Sequence, residues 1–128
     1  MKWINFAKYV IIQLALISIG LMTGAHGGTP FPEVSPEQIS KGKKLFAMYC
    51  LPCHGEKGDG KGAVAVALDP KPRNFLESTF KNGEKPEQIL DTITHGVPGS
   101  AMTTFKVVSV EDRQAIVHYI LSLKNGSK

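Results

Sequence analysis

Two cysteines and a histidine lie within five consecutive residues, in the run Cys50-Leu51-Pro52-Cys53-His54. Thiol and imidazole groups are nucleophiles and metal ligands, so this run is the segment best equipped for chemistry. Its C-x-x-C-H spacing is the pattern of covalent haem attachment. Two thiols three positions apart can each form a thioether with a vinyl group of one porphyrin, and the adjacent histidine then faces the iron. The run predicts one covalent haem c per chain, bound through Cys50 and Cys53, with His54 as the proximal iron ligand.

Three other uses of the cysteine pair have weaker support. A thioredoxin-like redox pair needs a strand–helix–strand context, whereas helix and loop patterns surround Cys50 and Cys53. A structural zinc site needs four ligands, but these are the only two cysteines, and the other histidines are not at zinc-finger spacing. A local disulfide would give the neighbouring His54 no part in the site. Haem attachment is therefore the primary interpretation.

The iron ligand opposite His54 is predicted to be Met102. This methionine ends the irregular segment 96–102, where a loop can direct a thioether sulfur at the metal. It follows His54 by 48 positions, which is enough chain to reach the other face of a porphyrin. Met48 is a weaker candidate, because it lies on the helix that leads into Cys50 and is expected to pack in the core.

Histidines are the rival distal ligands. His95 stands seven positions before Met102, and ligation by two histidines would give a lower reduction potential than a His/Met pair. Its place at the end of a predicted helix also suits an exposed residue that interacts favourably with the helix dipole. His26 and His118 show no feature that points to the iron.

The first 25 residues resemble a targeting segment rather than part of the fold. Lys2 and Lys8 precede an apolar run from Val10 to Met22, and the small residues Thr23-Gly24-Ala25 follow it. This three-part layout predicts a signal peptide over residues 1–25. The apolar run is shorter than the roughly 20 residues of a spanning helix, so an uncleaved membrane anchor through this segment is the alternative. In both cases the domain is predicted to work outside the cytoplasm, in the periplasm.

A tether and one domain are predicted to follow the leader. Residues 26–34 contain two glycines and two prolines, which is typical of a flexible tether. Residues 35–128 have the length of one domain. Without the two lysines of the leader, the formal charge falls from +4 to +2. The other lysines are scattered and do not alternate with aromatic residues, which argues against nucleic-acid binding.

The domain begins with a helical pattern. Ser35 as N-cap, Pro36 in the first turn and Gln38 three positions after the cap predict a helix start with a capping box. Gly42 lowers the helix propensity by about 1 kcal/mol relative to Ala, and a close approach of another helix would account for it. The apolar side chains that share this helix are Ile39, Leu45, Phe46, Met48 and Tyr49.

Two more helices are predicted, with long loops between them. One runs from Pro86 to His95 and stops at Gly96, and the last begins after Ser109. Only a short turn is expected in the glycine-rich segment 55–72. Long irregular loops leave a thin core, which a large apolar cofactor would complete. The prediction is an all-α fold of three to five short helices around one haem; the inward side chains are Ile89, Leu90, Ile93, Ile116, Tyr119, Ile120 and Leu123.

These motifs resemble the class I monohaem c-type cytochrome family, bacterial periplasmic type, over residues 36–124. The matching segments, in family order, are Gly42 with Leu45-Phe46, then 50–55, 58–62, 68–75, 96–102 and Tyr119-Ile120. The resemblance implies a cytochrome c fold, in which the first and last helices cross near Gly42, Phe46 and Tyr119. It also implies haem in a cleft, Met102 as the distal ligand and a one-electron carrier.

Two positions depart from the family pattern. Such proteins often have proline after the glycine-rich run, where a backbone carbonyl accepts the N–H of the proximal histidine, but Ala63 stands here. They also often have proline after the distal methionine, whereas Thr103 follows Met102. The hydroxyl of Thr103 or Thr104 is a candidate hydrogen-bond donor near the sulfur.

The expected function is that of a single-haem electron shuttle between redox partner proteins, not an enzyme. The first alternative is a membrane-anchored haem c subunit of a larger oxidoreductase. A less favoured alternative is a haem enzyme or gas sensor with a labile methionine ligand. Arg73 and Lys71 are candidates for pairing with a haem propionate. The lysines that would steer a transient partner are Lys57, Lys61, Lys71 and Lys81.

Overall fold

The computed structural model describes residues 31–77 and 79–126, and this part of the chain consists of helices and loops without strands. The described residues form four α-helices: α1 (Pro36–Tyr49), α2 (Leu51–His54), α3 (Pro86–His95) and α4 (Val110–Gly126). A 3₁₀ turn, Ala65–Ala67, lies in the predicted short-turn region. The all-α prediction of three to five short helices is confirmed. We call residues 55–85 the first loop and residues 96–109 the second loop.

The predicted leader lies outside the described residues, as does the first part of the predicted tether with His26. Within residues 31–77 and 79–126, no helix is both long enough and apolar enough to span a bilayer. At the end of the tether segment, the ring of Phe31 meets the buried ring of His118 edge-on, with centroids 5.1 Å apart. Burial lowers the pKa of His118, whose Nε2 has no hydrogen-bond partner.

Helix α1 begins where the sequence predicts. Ser35 has extended backbone, and its Oγ accepts a hydrogen bond from the backbone N–H of Gln38 at 3.1 Å. The predicted capping box forms only in part, because the buried Oε1 of Gln38 receives no hydrogen bond in return. The cap therefore satisfies one of the free N–H groups at the helix start.

Gly42 is the point at which α1 crosses α4. A Cβ at this position would overlap the backbone oxygen of Ala115 and lie 2.9 Å from Cβ of Tyr119. Beside the crossing, the rings of Phe46 and Tyr119 meet edge-on with centroids 5.2 Å apart. The predicted close approach at Gly42 is confirmed, and it explains why a poor helix former stands there.

The core surrounds this crossing and extends to α3. Helix α4 packs against both α1 and α3, so it buries a wider face than the predicted stripe, with Ala115 and Val117 fully covered. Leu123, which was expected inside, is only partly buried. The buried cluster consists of Phe46, Phe75, Ile89, Ile93, Ile116, Val117, Tyr119 and Ile120.

Helix α3 has the predicted limits, and Gly96 ends it with φ +74°. The prediction for the last turn of α1 was wrong in one respect. Met48 is 66% exposed rather than packed, and Tyr49 is 41% exposed. The α4 helix crosses α1 one to two turns earlier, at Gly42 and Phe46, so neither side chain is covered by it.

Candidate haem site

The C-x-x-C-H run forms one tight helical turn directly after α1. The N–H of Cys50 still donates to the oxygen of Phe46 at 2.8 Å, and the N–H of His54 donates to the oxygen of Cys50 at 2.8 Å. Cys50 and Cys53 are therefore one turn apart, which places their side chains on the same side of the backbone. Both are free, half-buried thiols. This arrangement presents two sulfur atoms and one imidazole together.

The environment of Cys50 does not favour a redox-active thiol pair. Burial, with a smaller contribution from the nearby Cys53, raises the pKa of the Cys50 thiol to about 12. Redox and nucleophilic cysteines instead have lowered pKa values and are thiolates near neutral pH. The thioredoxin-like reading of the pair loses further support.

His54 is held by a hydrogen bond from its own ring. Its Nδ1 lies 3.0 Å from the backbone oxygen of Arg73. A carbonyl oxygen can only accept, so Nδ1 carries the proton and the lone pair of Nε2 is free. Burial lowers the pKa of His54, and the bond to Arg73 partly opposes that effect. The ring is thus a neutral imidazole in the tautomer that a metal ligand requires.

The Arg73 carbonyl resolves the departure at Ala63. In the family pattern the acceptor for the histidine N–H follows the glycine-rich run. In this protein the acceptor is the backbone oxygen of Arg73, nineteen positions beyond His54. Such a bond fixes the orientation of a ligating imidazole and increases its basicity. The first loop therefore supplies this contact in spite of the alanine.

An aromatic ring lies flat against His54. The rings of His54 and Phe75 are stacked, with centroids 4.5 Å apart and planes 17° from parallel. The N–H of Phe75 donates to the oxygen of Gly58 at 2.7 Å, which fixes the backbone beside the ring. Phe80 contacts Phe75 at 5.8 Å, and the Lys124 ammonium lies 4.5 Å from the Phe80 centroid. Sequence reasoning did not identify Phe75 as a contact of the histidine.

The glycine-rich part of the first loop folds back onto α2. The N–H of Gly60 donates to the oxygen of His54 at 2.8 Å, and that of Gly62 donates to the oxygen of Cys53 at 3.1 Å. These are the carbonyls that a helix end leaves without partners. A Cβ at Gly62 would lie 2.6 Å from the carbonyl carbon of Cys53. The glycine is therefore needed for this close approach.

Met102 is fixed through its backbone. Its oxygen accepts from the N–H of Val97 at 2.9 Å, and its own N–H donates to Oγ of Ser100 at 3.1 Å. The Ser100 hydroxyl donates in turn to the oxygen of Val97 at 2.8 Å. A Cβ at Gly96 would lie 2.8 Å from the carbonyl carbon of Thr103. The side chain is half-buried against the core.

The rival histidine lies on the surface. The ring of His95 is exposed, and its Nδ1 lies 3.0 Å from Oδ1 of Asp91 and 3.2 Å from the Asp91 backbone oxygen. Both contacts are within its own helix, as expected of an exposed residue in the last turn. Nothing in these contacts directs His95 toward the cysteines.

Several polar groups with predicted roles already have partners within the protein. The Thr104 hydroxyl donates to the oxygen of Thr94 at 2.7 Å, and because a hydroxyl has one proton, it cannot also donate to the Met102 sulfur. Lys71 Nζ donates to the oxygen of Val66 at 2.8 Å. Arg73 forms an ion pair of 3.0 Å with Glu77.

Together these residues fit a covalently bound haem. Cys50 and Cys53 provide two free thiols one helical turn apart, and His54 provides a neutral, oriented imidazole with Nε2 free. Met102 provides a soft thioether from a separate loop, where its backbone is held by hydrogen bonds. Imidazole and thioether are both established axial donors to haem iron.

Comparison with known proteins shows the family of this chain. The sequence profile of the family described as Cytochrome c matches residues 39–124. The cbb3-type cytochrome c oxidase subunit CcoP of Rubrivivax gelatinosus is 28% identical over 92 residues, which cover 71% of this chain and 28% of that protein. The cbb3-type subunit FixP of Sinorhizobium medicae is 30% identical over 101 residues, which cover 72% and 32% respectively.

Two further proteins are similar to this chain over part of their length. A thiosulfate dehydrogenase of Stutzerimonas stutzeri is 38% identical over 65 residues, 44% of this chain and 21% of that protein. Among solved structures, a chain of the reducing HAO-like protein complex of Kuenenia stuttgartiensis is 35% identical, with a TM-score of 0.65. That match covers 73% of this chain and 44% of the other. The chain spans about a third or less of the curated relatives it matches.

The family match covers most of the described residues and includes the C-x-x-C-H run, both loops and nearly all of α4. The helical fold agrees with it. This protein therefore belongs to the cytochrome c family: it has the cytochrome c fold, carries covalently bound haem c and takes part in electron transfer.

Proposed function

We propose that this protein is a single-haem electron shuttle in which Cys50 and Cys53 form the two thioethers and His54 and Met102 are the axial ligands. The observation that carries this assignment is the state of His54. Its Nδ1–H donates to the Arg73 carbonyl, so Nε2 keeps a free lone pair for a metal. His54 directly follows Cys53, the second of the two free thiols. A ring held in this way can bind the iron without a change of tautomer.

The chemistry that the haem supplies is a one-electron change at iron. The protein contributes a constant ligand set, because Arg73 and Phe75 hold the His54 ring while Ser100 and Val97 hold the Met102 backbone. Two retained ligands leave no position for a substrate. An electron carrier needs this arrangement, since little reorganisation then accompanies the electron.

Exposed apolar side chains flank the cysteines on both sides, and we propose that they meet the redox partner. Met48 and Tyr49 precede the run, and Val64 and Val66 follow it, with the N–H of Val64 donating to the oxygen of Pro52 at 3.1 Å. A transient contact of this kind suits a partner with an apolar centre and an acidic rim. The exposed lysines of the first loop that would face that rim are Lys57, Lys61, Lys71 and Lys81.

The second candidate is a haem c subunit of a larger oxidoreductase. The relatives favour it, because two carry the names of cbb3-type oxidase subunits and a third is a thiosulfate dehydrogenase. The electron-transfer chemistry would be the same, and only the free diffusion of the protein would differ. We propose that the protein is the shuttle, that it is exported to the periplasm and that residues 1–25 are cleaved off. The subunit is the alternative that the experiments below distinguish from it.

The ligand assignment is tested by the absorption spectrum of the oxidised holoprotein. We expect a Met–iron charge-transfer band that Met102→Ala abolishes and that Met48→Ala leaves intact. Met48 is a matched control, because it is a methionine 66% exposed on the surface. A Met102→Ala protein that keeps the band, or a His95→Ala protein that loses it, would contradict the assignment.

Ready binding of carbon monoxide by the reduced wild type at neutral pH would instead favour a haem enzyme or sensor. The shuttle and the subunit are separated by cell fractionation. N-terminal sequencing of the mature protein would show whether residues 1–25 are removed, and native purification would show whether it elutes alone. Constant co-elution with a membrane oxidoreductase would contradict the shuttle.

A further inference from the structure

The second loop is closed at its base by hydrogen bonds to the end of α3. The N–H of Phe105 donates to the oxygen of Ile93 at 3.2 Å, and the hydroxyl of Thr104 donates to the oxygen of Thr94 at 2.7 Å. These two bonds pair the residues on either side of the Met102 segment. The loop can move away from the core as a unit only if this base opens or detaches.

Arg113 attaches that base to helix α4. Its Nε donates to the oxygen of Val108 at 3.1 Å, and its Nη1 donates to the hydroxyl oxygen of Thr94. One guanidinium thus holds both Thr94, in the last turn of α3 before the loop, and Val108, near the C-terminal end of the loop. The two acceptors are neutral oxygens on different segments, and only the forked geometry of arginine reaches both.

The acceptor at Thr94 is itself oriented. Its hydroxyl donates to the oxygen of Leu90 at 2.7 Å within α3, so its lone pairs face away from that bond. A hydroxyl has one proton and two lone pairs, and Arg113 takes one of these lone pairs. A continuous chain of bonds therefore runs from α4 through Thr94 to the backbone of α3. The half-buried position of Arg113 limits competition from water.

We propose that Arg113 is the positioning residue that keeps Met102 on the iron. It acts through its hydrogen bonds to Thr94 and Val108. The proposal rests on Met102 being the distal ligand, as proposed above. With the guanidinium in place, the second loop stays against the core. Without it, the base of the loop detaches from α4, and an external ligand replaces Met102 at the iron more readily.

The test is an imidazole titration of the oxidised holoprotein. The loss of the Met–iron charge-transfer band is the signal that reports binding. Arg113→Met keeps much of the apolar stem and removes every donor. We expect its apparent imidazole affinity to rise about tenfold, equivalent to about 1.4 kcal/mol. Arg113→Lys is expected to fall between this variant and the wild type, because a single ammonium cannot reproduce the fork.

A change elsewhere on the same helix separates loop positioning from general destabilisation. Lys124→Met removes the ion pair with Glu84 and the contact with Phe80, both beside the first loop. It should lower the melting temperature and change imidazole affinity by less than about twofold. If Arg113→Met does not yield folded holoprotein, Thr94→Val removes the same acceptor with little change of shape and should raise the affinity about threefold.

An Arg113→Met or Thr94→Val protein with wild-type imidazole affinity would overturn the proposal, as would a Lys124→Met protein that shifts equally. Failure of the ligand assignment gives a different result. A wild-type protein with no Met–iron band would remove Met102 as a ligand before any variant is compared, and the role of Arg113 would fall with it.

Discussion

The two loops hold their candidate iron ligands in opposite ways. The first loop holds the side chain of His54 directly, through the Arg73 carbonyl at 3.0 Å and the Phe75 ring at 4.5 Å. The second loop holds Met102 by its backbone, with Val97 on the oxygen and Ser100 on the N–H. A planar ring has two surfaces and two nitrogen atoms to fix, whereas a thioether offers only a weak acceptor.

The difference indicates where each side of the site is rigid. The orientation of His54 depends on buried aromatic packing, which tolerates little displacement. The position of Met102 depends on a chain of hydrogen bonds that ends at half-exposed groups, each worth about 1 kcal/mol. We therefore expect the first loop to determine stability and the second loop to determine how firmly the distal position stays closed.

The strongest test of this contrast is removal of each ligand in turn. His54→Ala leaves the Arg73 carbonyl without its partner and opens a cavity against Phe75, so we expect a loss of about 3–5 kcal/mol and little holoprotein. Met102→Ala removes a half-buried side chain and should cost about 2 kcal/mol while keeping the haem attached. Denaturant unfolding and the mass of the purified chain measure both. Equal losses would break the contrast.

Phe75 is the next test, because it should matter through packing. Phe75→Ala is expected to cost about 3–5 kcal/mol in unfolding free energy, and Phe75→Leu much less. The neighbouring Leu76 is 37% exposed, so Leu76→Ala should change stability by less than about 0.5 kcal/mol. If Phe75→Ala behaved like Leu76→Ala, the stacked ring would not be a support for His54.

Two glycines at positive φ in the second loop allow the cost of backbone strain to be distinguished from the cost of steric crowding. Gly96 has φ +74° and lies against Met102 and Thr103, whereas Gly99 has φ +75° with no atom within 4 Å of its Cβ position. Gly99→Ala should cost only the conformational strain, about 1–2 kcal/mol, and Gly96→Ala should cost more and weaken the Met–iron band. Thermal unfolding with the spectrum as probe measures both, and equal effects would contradict the crowding at Met102.

The smallest expected effects are at the hydroxyl groups of the second loop. Ser100→Ala removes the acceptor for the Met102 N–H and should cost about 1 kcal/mol. Thr103 remains the candidate donor to the sulfur, since the Thr104 hydroxyl is committed to Thr94. Thr103→Val should shift the reduction potential if that bond forms, and an unchanged potential would remove Thr103 from the site.

Local rules predicted the helices well. Helix α3 has the predicted limits because a proline opens it and Gly96 closes it, and both signals act within a few residues. Helical periodicity could not show that Met48 is exposed, because a pattern does not reveal how far the covering helix extends. The buried width of α4 was missed for the same reason, since it depends on which two helices pack against it.

Five consecutive residues were enough to predict the covalent part of the candidate site, but the residues that support it could not be predicted. The contact of His54 with Arg73 joins residues nineteen positions apart through a loop that is largely irregular. The stacking of Phe75 and the attachment by Arg113 also depend on tertiary packing. A sequence pattern identifies groups able to react or ligate, whereas the residues that orient them are ordinary in type and become evident only in three dimensions.

The crossing at Gly42 has a consequence for the order of events during maturation. Gly42 and Ala115 touch although more than seventy positions separate them, so this interface forms only after nearly the whole domain has been released from synthesis. Contacts this distant in the chain form slowly. Until then the buried cluster around Phe46, against which Cys50 packs, is incomplete. We expect thioether formation to occur in that interval, so that a chain that closes early becomes a poor substrate for haem attachment.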